Sequence, residues 1–350
     1  MSTATSVSQA NGPLEEPAGP MGGTGVVRRG RSTAARLAWS SLRKVLMAIP
    51  VLIIVTFVTS SLSVLMKVDP AVQILGSGAT PEAVAALNKQ YGFNRPLIAQ
   101  YLSWLGHAIR GDLGSSFYTQ QPVTQALGQR LPVTVQLALM ALIVALILAV
   151  PAAVACASRP RSWLDRVCSF LASVFMSLPA FVMAPLVVYF LAVKVELFPV
   201  TGWVPLTENV GQNLYHVILP VFVLMMPQCA LFFRLFRGDV AATLQQDFVL
   251  SARAKGLSRG YVLYRHVFRP SSYSLIAMIG LAIGQLLGGA VIAEFYFGLP
   301  GIGSLLLAAI PQTDLPVISG VVSLVAVVYV VVNILVDLVV ALVDPRVKGV

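Results

Sequence analysis

Two sets of side chains in this 350-residue sequence could do chemistry: a cluster of cations in one loop, and a thin scatter of acids, histidines and cysteines in or near apolar runs. The cations centre on residues 247–270, DFVLSARAKGLSRGYVLYRHVFRP. From Arg234 to Arg269 seven Lys or Arg residues (Arg234, Arg237, Arg253, Lys255, Arg259, Arg265, Arg269) stand against two acids, Asp239 and Asp247. Beside an apolar run, such a cluster keeps its loop on the cytoplasmic side of a membrane and suits an anionic surface or whatever docks there. The other candidates offer less. Cys156, Cys168 and Cys229 have no short ligand spacing, so neither a disulfide framework nor a zinc site is expected. His107, His216 and His266 are equally scattered, and no shared metal site is expected. The sequence has no GxxxxGK[ST] loop and no Gly-Lys dipeptide, hence no usual cradle for a nucleotide's phosphates. No residue is assigned a catalytic role.

The elements that must position the cations read as helix, corner, helix. Asp247 is placed to cap a first helix, 248–255 holds no Gly or Pro, and Gly256 stands where a left-handed residue would end it. Ser258 can cap a second helix, which Pro270 is expected to stop.

Composition excludes an ordinary soluble protein: 57% of the residues are hydrophobic and 11% charged, against the usual quarter. The net charge of +10 could suggest nucleic acid, but the basic residues cluster beside apolar runs, which makes membrane lipid the simpler partner. Residues 1–43 read as a disordered basic tail, and 44–350 as the membrane domain. Six charge-free intervals are long enough to span: 45–66, 131–158, 167–193, 209–233, 270–293 and 315–336. Counted on alternate sides, Lys and Arg number 18 against 6, so both termini are expected in the cytoplasm.

Within this frame, the external loop 67–130 carries two helix patterns. One is capped by Thr80, started by Pro81 and stopped by Gly92. The other, over 96–110, puts Leu97, Tyr101, Trp104, Leu105 and Ala108 on one stripe and could lie flat on the membrane. Gln136 is a lone polar group in the second span, and Ser177, Pro179, Pro185 and Tyr189 suggest a kink in the third. Gly280, Gly284 and Gly288 recur every four residues and mark a close helix contact, with a neighbour in this chain or in a partner subunit. Glu294 is either a structural partner for backbone and Arg groups or a site residue. After it, Pro300, Gly301 and Gly303 form a turn before a short helix.

The string ARAKGLS before the penultimate span resembles the cytoplasmic EAA loop of bacterial ABC-importer permeases, in the form of their dipeptide and oligopeptide subfamily. YGFNRPLIAQYLSWL followed by RGDLGSSF, the run from Glu294 through PGIG to Asp314, and the closing VDP with a basic residue resemble the same family, from about residue 43 to 348. Against the general importer loop, Leu250 replaces Glu, Ser251 replaces Ala, and the proline is delayed to Pro270; the subfamily tolerates these changes.

The resemblance implies an all-α, six-helix type I importer permease in a bacterial inner membrane. It implies a second homologous permease, two ATP-binding-cassette ATPase domains, an external substrate-binding protein and a di- or oligopeptide substrate. This chain would bind no cofactor, ATP and Mg²⁺ being used by the ATPase. Ser251, Ala252, Arg253, Ala254, Lys255, Gly256 and Leu257 would couple to that ATPase, and Gln136, Tyr189 and Glu294 are the candidates for a pathway or gate. Relatives carrying nickel complexes, glutathione or opines leave the substrate class open. A stand-alone carrier is disfavoured because, His216 apart, the span interiors are essentially charge-free. A non-transporting scaffold stays open.

Overall fold

The computed structural model describes residues 33–65, 70–76 and 78–343. Among these residues the structure is helical, with a single isolated bridge between Ser115 and Pro122. In chain order the helices are α1 (Thr33–Leu65), α2 (Pro70–Leu75), α3 (Pro81–Tyr91), α4 (Leu97–Ala108), α5 (Val123–Ser158), α6 (Trp163–Ser177) and α7 (Ala180–Val187). There follow α8 (Val210–Thr243), α9 (Asp247–Ala254), α10 (Arg259–Tyr261), α11 (Arg269–Phe297), α12 (Ile302–Ala309) and α13 (Leu315–Val343). Of the expected tail, 1–32 lies outside the described residues, and from Thr33 the chain is already helical. The C-terminal VDP motif lies mostly outside them too.

Among the described residues four helices are long and apolar enough to cross a membrane: Val123–Ser158, Val210–Thr243, Arg259–Phe297 and Leu315–Val336. α1 contributes a shorter apolar piece, Val45–Ser61. The third expected span is broken rather than kinked: α6 and the helix from Ala180 to Lys194 meet at 108°. Pro179 explains the break, since it pushes Leu178 into an extended conformation (φ −99°, ψ 114°) that an α-helix cannot continue through. Beyond α7 the helix relaxes into a π-helical turn, Val188–Lys194.

α8 is the hub, packed on α5, α6 and α11, with Phe232, Phe236 and Val217 out of contact with solvent. α5, packed against it, carries Ala141, Ala145, Ala149 and Ala153, a stripe of small, fully buried residues. Removing side-chain bulk along one face brings two helix backbones together where lipid supplies no hydrophobic drive. A second, smaller core closes one end of the bundle around Val123, Leu127, Ile302, Val317 and Val321.

The two helices expected between residues 80 and 110 form as the sequence predicts. The Thr80 hydroxyl accepts from the Ala83 N–H, and Gly92 ends α3 at φ +73°. α4 does more than lie flat: its Tyr101 is buried, and the phenol hydroxyl sits 2.9 Å from Thr56 Oγ1 of α1 with Phe57 edge-on to its ring. That tether fixes the loop to the bundle.

Candidate functional site

The 247–270 segment folds into a short helix, a corner and a helix start, with two corrections. Gln246, not Asp247, takes the cap position (φ −75°, ψ 146°), and Asp247 becomes the first helical residue, where its charge still favours the helix N-terminus. Pro270 does not stop the second helix. From Arg259 the chain runs as one helix to Phe297, through a π-helical stretch at Val262–Phe268. A proline normally breaks a helix by clashing with the carbonyl four residues back. The wider π turn just before Pro270 shifts those carbonyls, and the missing N–H falls where the hydrogen-bond register changes.

α9 buries Val249 and Ala252 and exposes Ser251, Arg253, Ala254 and Lys255, with Gly256 and Leu257 exposed beyond it. Gly256 sits at φ +80°, its N–H bonded to the Arg253 carbonyl at 2.9 Å. Nothing lies within 4 Å of where a Cβ would stand, so the demand for glycine is conformational rather than steric. Ser258 caps the next turn by accepting from the Tyr261 N–H. The result is a projecting elbow on which Phe248, Leu250, Leu257, Tyr261 and Tyr264 are exposed among Arg253, Lys255, Arg259 and Arg265.

The base of the elbow is pinned by groups the loop pattern did not single out. Arg237 donates two hydrogen bonds to Asp165, 2.6 Å from Nε and 2.8 Å from Nη2, tying α8 to the start of α6. Asp165 is 5% exposed and also accepts from the Arg161 N–H at 2.9 Å. Arg237 is therefore not one of the elbow's free cations. Ser271 donates to Thr243 at 2.9 Å and Ser274 donates to Asp239, joining α11 to the end of α8. The one acid in the RSWLDR loop was the sequence signal for this cluster.

At the other end of the bundle Glu294 is fully buried and serves α12. Its carboxylate accepts from Thr134 Oγ1 at 2.5 Å and from the Ser304 N–H at 2.9 Å, while Thr134 Oγ1 accepts from the Ile302 N–H at 2.9 Å. These bonds satisfy the open amides of a helix N-terminus, where a carboxylate is favoured. The glycines of the turn are steric: a Cβ on Gly301 would lie 2.1 Å from Glu294 Cδ, and one on Gly303 2.4 Å from Val291 Cα. Asp314, outside the candidate set, is buried at the start of α13 and accepts from Ser116 Oγ at 2.5 Å and from the Phe117 N–H at 3.2 Å. It anchors the loop between α4 and α5.

The remaining candidates have separate surroundings. Gln136 donates to Asn213 at 2.5 Å, and Asn213 donates to the Val204 carbonyl at 2.7 Å, so Gln136 joins α5 to α8. Tyr189 is exposed, edge-on to Phe190, with the Lys194 ammonium 6.0 Å from its ring centre. Gly280 and Gly284 face α13 of the same chain, where Cβ atoms would lie 2.7 Å from Val336 and 2.4 Å from Tyr329. Gly288 faces open space. Among the described residues no group of three or more His, Cys, Asp or Glu is placed to hold a metal ion.

Comparison with known proteins adds a family. Residues 145–349 match the family described as binding-protein-dependent transport system inner membrane component, and residues 40–138 match its N-terminal companion. A Brucella abortus (strain 2308) protein, named as a permease of a peptide transport system, is 37% identical over 307 residues, 88% of this chain and 98% of the relative. The dipeptide transport system permease protein of Alkalihalophilus pseudofirmus is 33% identical, with the same two coverages. The oligopeptide transport system permease protein of Bacillus subtilis (strain 168) is 34% identical over 310 residues, again 88% and 98%.

Proposed function

Because this chain belongs to the family of binding-protein-dependent transport system inner membrane components, we propose that it is one permease of an ATP-binding-cassette importer for di- or oligopeptides. Six crossings follow if α1, the broken α6–α7 pair, α5, α8, the α10–α11 helix and α13 each count as one. The excess of Lys and Arg then puts the elbow and both termini in the cytoplasm, with the chain in a bacterial inner membrane. A second homologous permease completes the translocation path. An external binding protein delivers the peptide, for which the loop held by Asp314 and Ser116 is the natural contact.

Having no phosphate loop, the chain takes its energy from two ATPase domains that bind ATP and Mg²⁺. The observation that carries the reading is the elbow itself: exposed apolar and cationic side chains on a two-turn helix, turned by Gly256 and held on a buried ion pair. The residues assigned to the ATPase groove are Ser251, Arg253, Ala254, Lys255, Gly256 and Leu257, with Ala252 packing α9 from beneath. Nucleotide-driven closure of the ATPases moves the elbow, and the Asp165–Arg237 and Ser271–Thr243 links pass that movement to α6 and α11. Such a cycle needs nucleotide and peptide to favour different states, because a ligand shifts an equilibrium only by its differential affinity.

Gly256→Val tests the assignment. A β-branched residue is strained at φ +80°, so the elbow re-forms at another angle while the spans are untouched. The expected result is normal membrane abundance with peptide uptake lost and ATP hydrolysis no longer stimulated by loaded binding protein. Normal uptake by this variant refutes the docking role.

A further inference from the structure

The outward stripes of the two longest exposed spans differ in one respect. On α5 the exposed residues Leu139, Ile143 and Ile147 are all apolar, as a lipid-facing surface requires. On α11 the corresponding face carries Leu281, Gln285, Gly288 and Phe295, one helical turn or two apart, and Gln285 stands exposed near the middle of the helix. A primary amide facing hydrocarbon at that depth has no partner for its hydrogens and is disfavoured. Gly288 adds a gap beside it, because no atom lies within 4 Å of its absent side chain.

Behind Gln285 stands a second amide. Gln228 of α8 donates from Nε2 to Gln285 Oε1 at 3.2 Å, which leaves the outer Nε2 of Gln285 unused. Gln228 is 6% exposed, and its own Oε1 is buried without a hydrogen-bond partner. A buried acceptor left open inside an apolar core is uncommon and marks a place where a donor arrives in another state. The pair therefore offers two N–H donors at the surface and one unfilled acceptor just beneath.

We propose that the Gln285–Gln228 pair, with the gap at Gly288, is a contact for peptide backbone in the translocation path; this rests on the peptide-importer reading above. A peptide unit brings one C=O and one N–H, the complement of the donors on Gln285 and the open acceptor on Gln228. Recognition through the main chain is indifferent to side chains, which suits a substrate class of many sequences. Gln285 is the contacting residue, and Gln228 positions it.

The test uses the assembled transporter in proteoliposomes, with Cys156, Cys168 and Cys229 replaced by Ala and trialanine as the probe. Gln285→Cys and Gly288→Cys should react with a charged, membrane-impermeant methanethiosulfonate and be protected by trialanine, whereas Ile143→Cys on the α5 stripe should not react. Gln285→Leu should raise the KM for trialanine uptake about tenfold, the weight of one lost hydrogen bond to a desolvated group, and Gln285→Asn should recover part of it. Reaction of the 285 and 288 thiols only with a lipid-soluble maleimide, or no reaction because a partner helix covers them, overturns the proposal. So does an unchanged KM in Gln285→Leu. If the parent complex fails to take up trialanine at all, the peptide-importer reading fails instead, and the accessibility of position 285 still decides whether this face lines a water-filled path.

Discussion

Removing Arg237 should damage the protein more than removing Arg237 and the charge on Asp165 together. The Asp165 carboxylate is 5% exposed and holds the guanidinium through two short bonds, 2.6 and 2.8 Å. Deleting one partner of a buried ion pair leaves an uncompensated charge and costs about 3–5 kcal/mol. Arg237 keeps 33% of its side chain in water and the Arg161 N–H still serves Asp165, which puts Arg237→Leu near the low end, about 3 kcal/mol. At roughly 2 °C or more per kcal/mol for a chain of this size, the detergent-purified complex should melt on the order of 6 °C lower. In Arg237→Leu with Asp165→Asn the stranded charge is gone, and at least half the loss should return, about 1.5 kcal/mol or more. The same variants should show ATP hydrolysis that responds poorly to loaded binding protein, because the pair is the link between α8 and α6 beneath the elbow. Melting of Arg237→Leu at the parental temperature, or additive losses in the double variant, would refute the claim that this pair holds the base of the elbow.

Two further predictions concern the α11–α13 contact and the anchor of the loop between α4 and α5. Gly284→Leu puts a side chain where even a Cβ lies 2.4 Å from Tyr329, so assembled protein in the membrane should fall severalfold and recover with Tyr329→Ala, while Gly288→Ala should be tolerated; equal effects at 284 and 288 would dismiss the α11–α13 contact. Ser116→Ala and Asp314→Asn each break one bond between the α4–α5 loop and the start of α13, at about 1–3 kcal/mol for a buried group left unsatisfied. Their losses, read as protease sensitivity of the 109–122 loop, should not add in the double variant.

Much of the architecture was legible because membrane crossing is a one-dimensional demand: an apolar run without charges must span, and a run of cations must stay inside. The caps were local as well, which is why Thr80, Gly92, Ser258 and Gly256 act where their types place them. The same local logic failed at Pro270. Whether a proline ends a helix depends on the hydrogen-bond register before it, and the π turn at Val262–Phe268 has no signature in composition. It also understated Pro179, where a 108° break replaces the expected kink. For Glu294 and Gln136 the sequence left two roles open, and the partners Thr134, Ser304 and Asn213 are now on view.

By itself, then, the sequence determined the class of the protein, the order of its long apolar helices and the helix–corner–helix of the cationic elbow, all of which depend on neighbours within a few turns of the chain. Only the tertiary structure decided which polar groups are spoken for. Asp165 meets Arg237 across 72 residues, Thr134 meets Glu294 across 160, and Ser116 meets Asp314 across 198. Pairing is a matter of distance in space, and no pattern along the chain states that distance until the helices have packed.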